Sequence, residues 1–225
     1  ITRIDSDSTR LKGTMSKALT EAATGATRIL VGTQMLSKGH HFPNLTLVAV
    51  VNADQGLFST DFRGSERLAQ GLVQVAGRAG REKRQGEVII QTAFPADPFW
   101  KALMNKGYHG IAASILAERR AAMWPPFSRL ALVRATSVKR DDAHDFLLAA
   151  RQAADGAAIA DVRILGPVSA PMERKAGRYR AQLLVQSNQR RHLHRLLDAL
   201  RVSIESSPLA RRVRWSIDVD PIELF

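Results

Sequence analysis

The chain has 225 residues, enough for one large domain or two small ones with a hydrophobic core. Its composition, 45% hydrophobic and 24% charged, excludes collagen-like structure and long disorder, and the absence of cysteine excludes disulfides, thiolate zinc sites and cysteine nucleophiles. Thirty-three basic against 21 acidic residues give a net charge of +12, which favours an anionic partner such as nucleic acid over a merely arginine-rich or ribosomal-type protein.

Strands and helices alternate in the first half of the chain. The predicted strands are Thr27–Gly32, Leu45–Ala53 and Glu87–Thr92, and the predicted helices are Ser65–Ala79 and Asp97–Met123. This alternation predicts an α/β domain, a parallel sheet with flanking helices, in which ligands bind at the carboxyl ends of the strands. The longest nearly apolar stretch, Leu45–Val51, is far short of the roughly 18 residues that a membrane span requires.

Two prolines, in Trp124-Pro125-Pro126-Phe127, end the last helical pattern and divide the chain into domains 1–123 and 124–225. In the second domain we predict, in order, strand Leu130–Thr136, helix Asp141–Asp155, strands Val162–Leu165 and Tyr179–Gln186, helix Asn188–Ser206 and strand Val213–Val219. Asp141 is the expected N-cap of the first helix, and a basic loop, Glu173–Arg178, joins the middle strands. The order β-α-β-β-α-β is the split-βαβ pattern of ferredoxin-like α+β domains.

The strongest local motif is Gln74-Val75-Ala76-Gly77-Arg78-Ala79-Gly80-Arg81, at the end of a predicted helix. Arg78 and Arg81 are three residues apart and so share a helical face, and the glycines let backbone approach a ligand closely. A guanidinium held near a transferring phosphoryl group stabilises the charge of the transition state, as an arginine finger does. Spacing alone favours this interpretation no more than a solvated basic helix end.

Other segments put that motif in context. A strand followed by Gly32-Thr33-Gln34-Met35 and Lys38-Gly39-His40-His41-Phe42-Pro43, and then by Gln74–Arg81, resembles motifs V and VI of superfamily 2 helicases. Three further segments narrow the resemblance to the bacterial primosomal replication-restart DNA helicases, the PriA family: Leu57–Arg67, Leu165–Val168 and Asp218–Glu223. The resemblance covers essentially the whole chain.

The resemblance implies that residues 1–123 form the second RecA-like lobe of an ATP-dependent 3′–5′ helicase that restarts stalled forks and assembles the primosome. Gln74, Arg78 and Arg81 then contact the ATP phosphates, with the two arginines as finger candidates. The implied DNA contacts of this lobe are Thr33, Gln34, Lys38, Gly39 and Arg63. The sequence departs from related motors at Val75, where many have a further arginine, and at His41, where many have an aspartate.

The cofactors implied for the full-length helicase are ATP and Mg²⁺. The sequence contains no Gly-x-x-x-x-Gly-Lys-Ser/Thr loop and no Asp-Glu-x-His motif, so we expect this chain to be the C-terminal part of the motor and inactive as an ATPase alone. The family also carries a cysteine-rich zinc insertion, for which this chain has no ligands.

Basic residues surround one tyrosine in the second domain: Lys175, Arg178, Tyr179 and Arg180, followed by Gln182. Arginines neutralise phosphates and a tyrosine ring stacks on an unpaired base, although strand alternation makes Tyr179 an equally good core residue. The resemblance implies binding of branched and single-stranded DNA, of the acidic tail of single-stranded DNA-binding protein, with Arg178 and Gln182 as candidates, and of other primosome proteins. It also implies a cytoplasmic, nucleoid-associated bacterial protein without membrane contact.

Several residues are better explained by packing or solvation than by a site. His40 and His41, adjacent on a loop, and His192 and His194, on different faces of a helix, point apart, so we expect no metal site. Core packing is also the better explanation for the tryptophans, Trp100, Trp124 and Trp215, and a solvated face is the better explanation for Arg190, Arg191 and Arg195. The alternative to a motor fragment is a non-catalytic module that docks nucleic acid or protein through the basic hairpin.

Overall fold

The computed structural model describes residues 1–4, 14–32, 42, 45–77 and 86–224, which fall into two compact units, Ile1–Leu116 and Ala117–Phe225. The elements of the first unit are β1 (Thr2–Ile4), α1 (Thr14–Ala23), β2 (Leu30–Gly32), β3 (Leu47–Val50), α2 (Asp54–Leu57), α3 (Gly64–Ala76), β4 (Glu87–Ile90) and α4 (Pro98–Ala121), the last of which continues into the second unit. Strands and helices therefore alternate as predicted. No helix in the described ranges is both long and apolar enough to cross a membrane.

Parallel pairing characterises the strands of the first unit: β1 pairs with β2, and β3 pairs with β4. The predicted continuous helix Asp97–Met123 is wrong, because Gly107 (φ 60°, ψ −155°) interrupts α4, a conformation that glycine adopts easily. Apolar residues at helical spacing on α3 and α4 form the core of this unit. Trp100 in this core is only 5% exposed, and its indole nitrogen donates to the carbonyl of Phe94 at 3.0 Å. Trp100 is thus the core residue that the sequence predicts.

The second unit has the element order β-α-β-β-α-β. Its elements are β5 (Arg129–Ser137), α5 (Arg140–Gly156), β6 (Val162–Lys175), β7 (Arg178–Ser187), α6 (Arg190–Ser206), a 3₁₀ turn (Pro208–Arg211) and β8 (Arg214–Val219). The strands form one antiparallel sheet in the order β6-β7-β5-β8. Alternate residues of β5 and β7 join apolar residues of α5 and α6 in a buried core, and Trp215 packs against it.

Two predictions about this unit are wrong in detail. Strand β6 continues to Lys175, so the predicted loop Glu173–Arg178 shrinks to a two-residue turn, Ala176-Gly177, with φ of 50° and 77°. Helix α5 begins at Arg140, one residue before the predicted N-cap Asp141, and Lys139 occupies the cap position without a side-chain cap bond.

The sheet face opposite the helices is partly covered. Leu130 and Leu132 point to this face and are each 1% exposed. On the same face the Arg134 guanidinium bonds Asp218 and the carbonyl of Glu223, each at 2.7 Å, which holds the C-terminal residues against the sheet. This face is therefore covered along β5 and exposed at Arg163 and Leu165 of β6 and at Arg214 and Ser216 of β8.

Candidate nucleic-acid interface

A buried carboxylate fixes the turn that leads into α3. Asp61 is 7% exposed; its Oδ1 accepts from the backbone N–H of Arg63 at 2.9 Å, and its Oδ2 lies 3.3 Å from Nη2 of Arg67. The guanidinium of Arg63 lies 5.0 Å from the centre of the Phe62 ring. Two contacts thus hold the DNA-contact candidate Arg63 at the start of α3: its backbone N–H donates to Asp61, and its guanidinium packs on the ring of Phe62.

The far end of α3 carries Gln74. Its side chain is exposed, and the structure records no hydrogen bond to it from the described part of the chain. The helix ends at Ala76, earlier than the predicted Ala79. Arg63 and Gln74 are 11 residues apart, about 16 Å along the helix, so α3 does not bring these two candidates together.

Most of the predicted motif residues lie outside the described ranges. These are Thr33, Gln34, Lys38, Gly39, His40, His41, Arg78 and Arg81. Strand β2 ends at Gly32, so Thr33 follows directly on the carboxyl end of a parallel strand. That is the edge of an α/β sheet at which ligands usually bind.

Asp54, which belongs to no sequence motif described above, connects the carboxyl ends of β3 and β4. Its carboxylate accepts from the hydroxyl of Thr92 and, at 2.9 Å, from the backbone N–H of Ala93. A second bond joins the same loops, from the backbone N–H of Asn52 to Oε1 of Gln91 at 3.1 Å. The partners are 38 or 39 residues apart, so no local pattern could reveal them.

The hairpin of β6 and β7 brings Lys175, Arg178, Tyr179 and Arg180 together, as predicted from the sequence. Lys175 pairs in register with Arg178 beside the turn, and Lys175 is exposed. Arg180 donates weakly to the carbonyl of Met172 at 3.4 Å. The Nε atom of Arg178 is buried without a hydrogen-bond partner. The hairpin is therefore a concentration of positive charge with donor capacity left over.

Strand alternation settles the orientation of the remaining hairpin residues. Tyr179 lies on the helix side with Ala181 but is half-buried, outside the core cluster, and the guanidinium of Arg174 lies 5.2 Å from its ring centre. Tyr179 is thus a ring stacked by an arginine and not a core residue. Arg178 and Gln182 share the opposite face, about 13 Å apart.

A cavity of about 460 Å³ opens beside the hairpin, on the side of α5. Glu173 connects two other residues of its lining: its Oε1 accepts from Nε of Arg140 at 2.6 Å and from the hydroxyl of Ser169 at 3.1 Å. The lining includes His144 and Tyr179. No sequence pattern reveals this cavity, because Arg140 and Glu173 are 33 residues apart and meet only through the fold.

The two histidines of α6 have different neighbours. Nδ1 of His192 lies 3.8 Å from Oδ2 of Asp161, and His194 accepts from Nε of Arg190 at 3.3 Å. Across the described residues, no group of three or more histidine, aspartate or glutamate side chains is arranged to hold a metal ion.

Comparison with known proteins identifies the family. Residues 2–83 match the helicase conserved C-terminal domain, and residues 120–222 match the C-terminal domain of primosomal protein N. A replication restart protein PriA from Haemophilus influenzae is 44% identical over 225 residues, all of this chain and 30% of the relative. The chain belongs to the PriA family. The predicted resemblance is thereby confirmed, and so is the mixed α/β helicase C-terminal lobe followed by a smaller domain.

Other PriA proteins match over nearly the whole chain. That of Synechocystis is 38% identical over 222 residues, 99% of this chain and 26% of the relative, and that of Bacillus subtilis is 36% identical over 224 residues, 98% of this chain and 28% of the relative. The chain thus spans less than a third of the length of these PriA relatives. A solved structure, the de novo designed protein Foldit4, aligns at 7% identity over 43% of this chain and 99% of its own, with a TM-score of 0.34, too dissimilar to inform function.

Proposed function

We propose that this chain is the C-terminal part of an ATP-dependent 3′–5′ DNA helicase that restarts stalled replication forks and assembles the primosome. The observation that carries the proposal is the order of two family matches in one chain, a helicase C-terminal domain at residues 2–83 and a primosomal protein N C-terminal domain at 120–222. The parallel strand pairs of the first unit are compatible with a RecA-like lobe. Its place of action is the bacterial cytoplasm, at the nucleoid.

In this proposal Gln74, Arg78 and Arg81 face the phosphates of ATP. The exposed side-chain amide of Gln74, at the end of α3, fits a phosphate contact. This sequence has no phosphate-binding loop, so ATP with Mg²⁺ would bind to the first lobe of the motor, which this chain does not contain. Bound there, ATP would supply the phosphoryl group. The role of Arg78 and Arg81 is to place positive charge where negative charge develops when the lobes close, so the chain by itself hydrolyses no ATP.

The DNA contacts divide between the two units. Motif V residues and Arg63 bind the backbone from the first unit, and Lys175, Arg178, Tyr179 and Arg180 bind branched or single-stranded DNA from the hairpin. Arg178 and Gln182 also bind the acidic tail of single-stranded DNA-binding protein, since a carboxylate-rich peptide needs the same donors as a phosphate. Other primosome proteins are the further partners.

Replacing the corresponding segment of the Haemophilus influenzae PriA with this chain tests the motor role, because the chain is 44% identical to that relative. The chimera is expected to hydrolyse ATP in the presence of forked DNA. Arg78→Ala and Arg81→Ala are each expected to lower kcat by about 10³-fold, the effect of losing an arginine finger. The matched control is Lys101→Ala, an exposed cation on α4. Arginine variants as active as this control would contradict the finger role.

The second candidate is a non-catalytic docking module, favoured by the separate hydrophobic core of the second unit. Fluorescence anisotropy of forked DNA with the 225-residue chain separates the two. A module that uses the hairpin loses affinity with Arg178→Ala and Arg180→Ala and retains it with Arg78→Ala and Arg81→Ala. An active chimera that depends on Arg78 and Arg81 would reject the module as the complete function.

A further inference from the structure

Helix α6 presents two faces of opposite character. Its apolar face, Leu193, Leu196, Leu197, Leu200 and Ile204, is buried in the core of the second unit. Its outer face carries five exposed basic side chains, which we call the α6 basic face: Arg190, Arg191, His194, Arg195 and Arg201. At 3.6 residues per turn these five lie within an arc of about 140°, which also contains the exposed carboxylates Asp198 and Glu205.

The arginines of the α6 basic face are free of carboxylate partners. Arg190 donates to the imidazole of His194 at 3.3 Å, and Arg191 donates to the side-chain oxygen of Gln189 at 2.9 Å, and neither acceptor is a carboxylate. No ion pair of the described residues includes an arginine of this face, although Asp198 and Glu205 are also exposed on α6. The charge of these arginines is therefore available to a partner.

Helix stability does not explain this placement. The first turn of α6 contains Arg190 and Arg191 and no acidic residue, and its last turn contains no basic residue. A helix dipole favours the reverse arrangement, acidic residues at the N-terminus and basic residues at the C-terminus. The charges of α6 therefore oppose local stability, which fits a role in binding better than a role in stabilising the helix.

The basic surface is a local feature of α6. The neighbouring helix α5 carries two arginines and four aspartates, so its net charge is opposite in sign. The face of the sheet turned away from the helices is buried at Leu130 and Leu132, each 1% exposed, whereas Arg163 and Arg214 are exposed on it. Of the two helices that pack on the sheet, α6 is therefore the one with net positive charge.

We propose that the α6 basic face binds the sugar–phosphate backbone of DNA as a track separate from the hairpin, an inference that rests on the proposed DNA binding. Arg190 and Arg201 are 11 residues apart, about 16 Å along the axis, which matches about five phosphates at 3.4 Å per nucleotide of one strand. A helix face whose arginines lack carboxylate partners suits a polyanion of regular charge spacing. Insertion into a membrane would require an exposed apolar face, and the apolar face of α6 is buried.

The salt dependence of DNA affinity tests the track. Arg191→Ala with Arg195→Ala, in the 225-residue chain, removes two phosphate contacts, and Lys101→Ala with Lys106→Ala removes two exposed cations from α4 as a charge-matched control. In log affinity against log salt, the slope should fall by about 1.8 for fluorescein-labelled duplex and about 1.4 for a single strand. The corresponding loss at 0.1 M salt is about 60-fold and about 25-fold, with the control within about twofold of the parent chain.

A stability measurement separates binding from folding. Arg191→Glu should weaken DNA binding further while leaving the thermal unfolding midpoint unchanged or raised, because an acidic residue suits the N-terminus of a helix. Loss of affinity with a lowered midpoint would overturn the inference, and so would α6 variants whose slope equals that of the control. Weakened binding of decaglutamate with unchanged DNA affinity would replace DNA by an acidic peptide. A parent chain that binds no DNA at low salt would refute the proposed DNA role itself, whereas DNA binding lost only in hairpin variants would refute the α6 track alone.

Discussion

Alanine at Gly64 and alanine at Gly71, both in α3, are expected to change stability in opposite directions. A Cβ atom added at Gly64 would lie 2.2 Å from Cβ of Ser59 and 3.0 Å from the carbonyl oxygen of Gly56. A Cβ atom added at Gly71 meets no atom within 4 Å. Gly64 is therefore required by the close approach of two backbone segments, in the turn that positions Arg63, and Gly71 has no such constraint.

The sizes of these effects follow from two opposing terms. A side chain forced into a packed site costs about 1–3 kcal/mol, and replacing glycine by alanine inside a helix returns about 0.5–1 kcal/mol. The 2.2 Å approach at Gly64 involves a Cβ atom and not the end of a flexible side chain, so the cost falls at the upper end of its range. We expect Gly64→Ala to destabilise the first unit by about 2 kcal/mol and Gly71→Ala to stabilise it by about 0.5–1 kcal/mol.

Urea unfolding followed by Trp100 fluorescence measures both changes, since Trp100 is buried in the core of the first unit. Phenylalanine at positions 124 and 215 removes the other two tryptophans from the signal. Adding Ser59→Gly to Gly64→Ala should recover part of the loss by removing the nearest contact. Equal stability of the Gly64→Ala and Gly71→Ala proteins would refute the steric reasoning.

Two further predictions concern the second unit. Leu147→Ala, at a residue 0% exposed, should cost about 2–5 kcal/mol of unfolding free energy in urea, whereas Leu148→Ala, next to it and 39% exposed, should cost well under 1 kcal/mol; similar costs would contradict the assigned faces of α5. Arg134→Ala should release the C-terminal residues and raise their rate of limited proteolysis more than Asp218→Asn does, because only Arg134 also holds the carbonyl of Glu223. Equal proteolysis of the two variants would mean that the ion pair alone holds this segment.

The periodicity of the second unit was enough to predict its element order. Leucines at helical spacing placed α6, and β-branched residues placed β5 and β8 within a residue or two of their observed bounds. The extent of β6 was not predictable in this way. The pattern after Leu165 looks like a strand end, but pairing with β7 extends the strand to Lys175 across two register shifts. Strand length here depends on a distant partner, which a local pattern does not contain.

The candidate site also has a part that the sequence predicts and a part that it does not. The hairpin cations are contiguous in sequence and were predicted together. Two contacts hold the sites in place, Arg140 with Glu173 and Asp54 with Thr92. Each joins residues more than 30 positions apart, so no local sequence pattern predicts it. The roles predicted for Arg78 and Arg81 stay predictions, because both residues lie outside the described ranges.

The irregular pairing of β6 has a consequence for solubility. As an edge strand of its sheet, β6 presents an unpaired side to any second copy of the chain, with Leu165, Val168 and Met172 each at least 39% exposed. A straight edge of that composition would promote sheet-to-sheet aggregation at high concentration. The two register shifts bend the strand, and Pro167 and Pro171 remove two amide donors from it. The irregular stretch of β6, part of which lines the cavity beside α5, therefore also protects the protein against self-association along this edge.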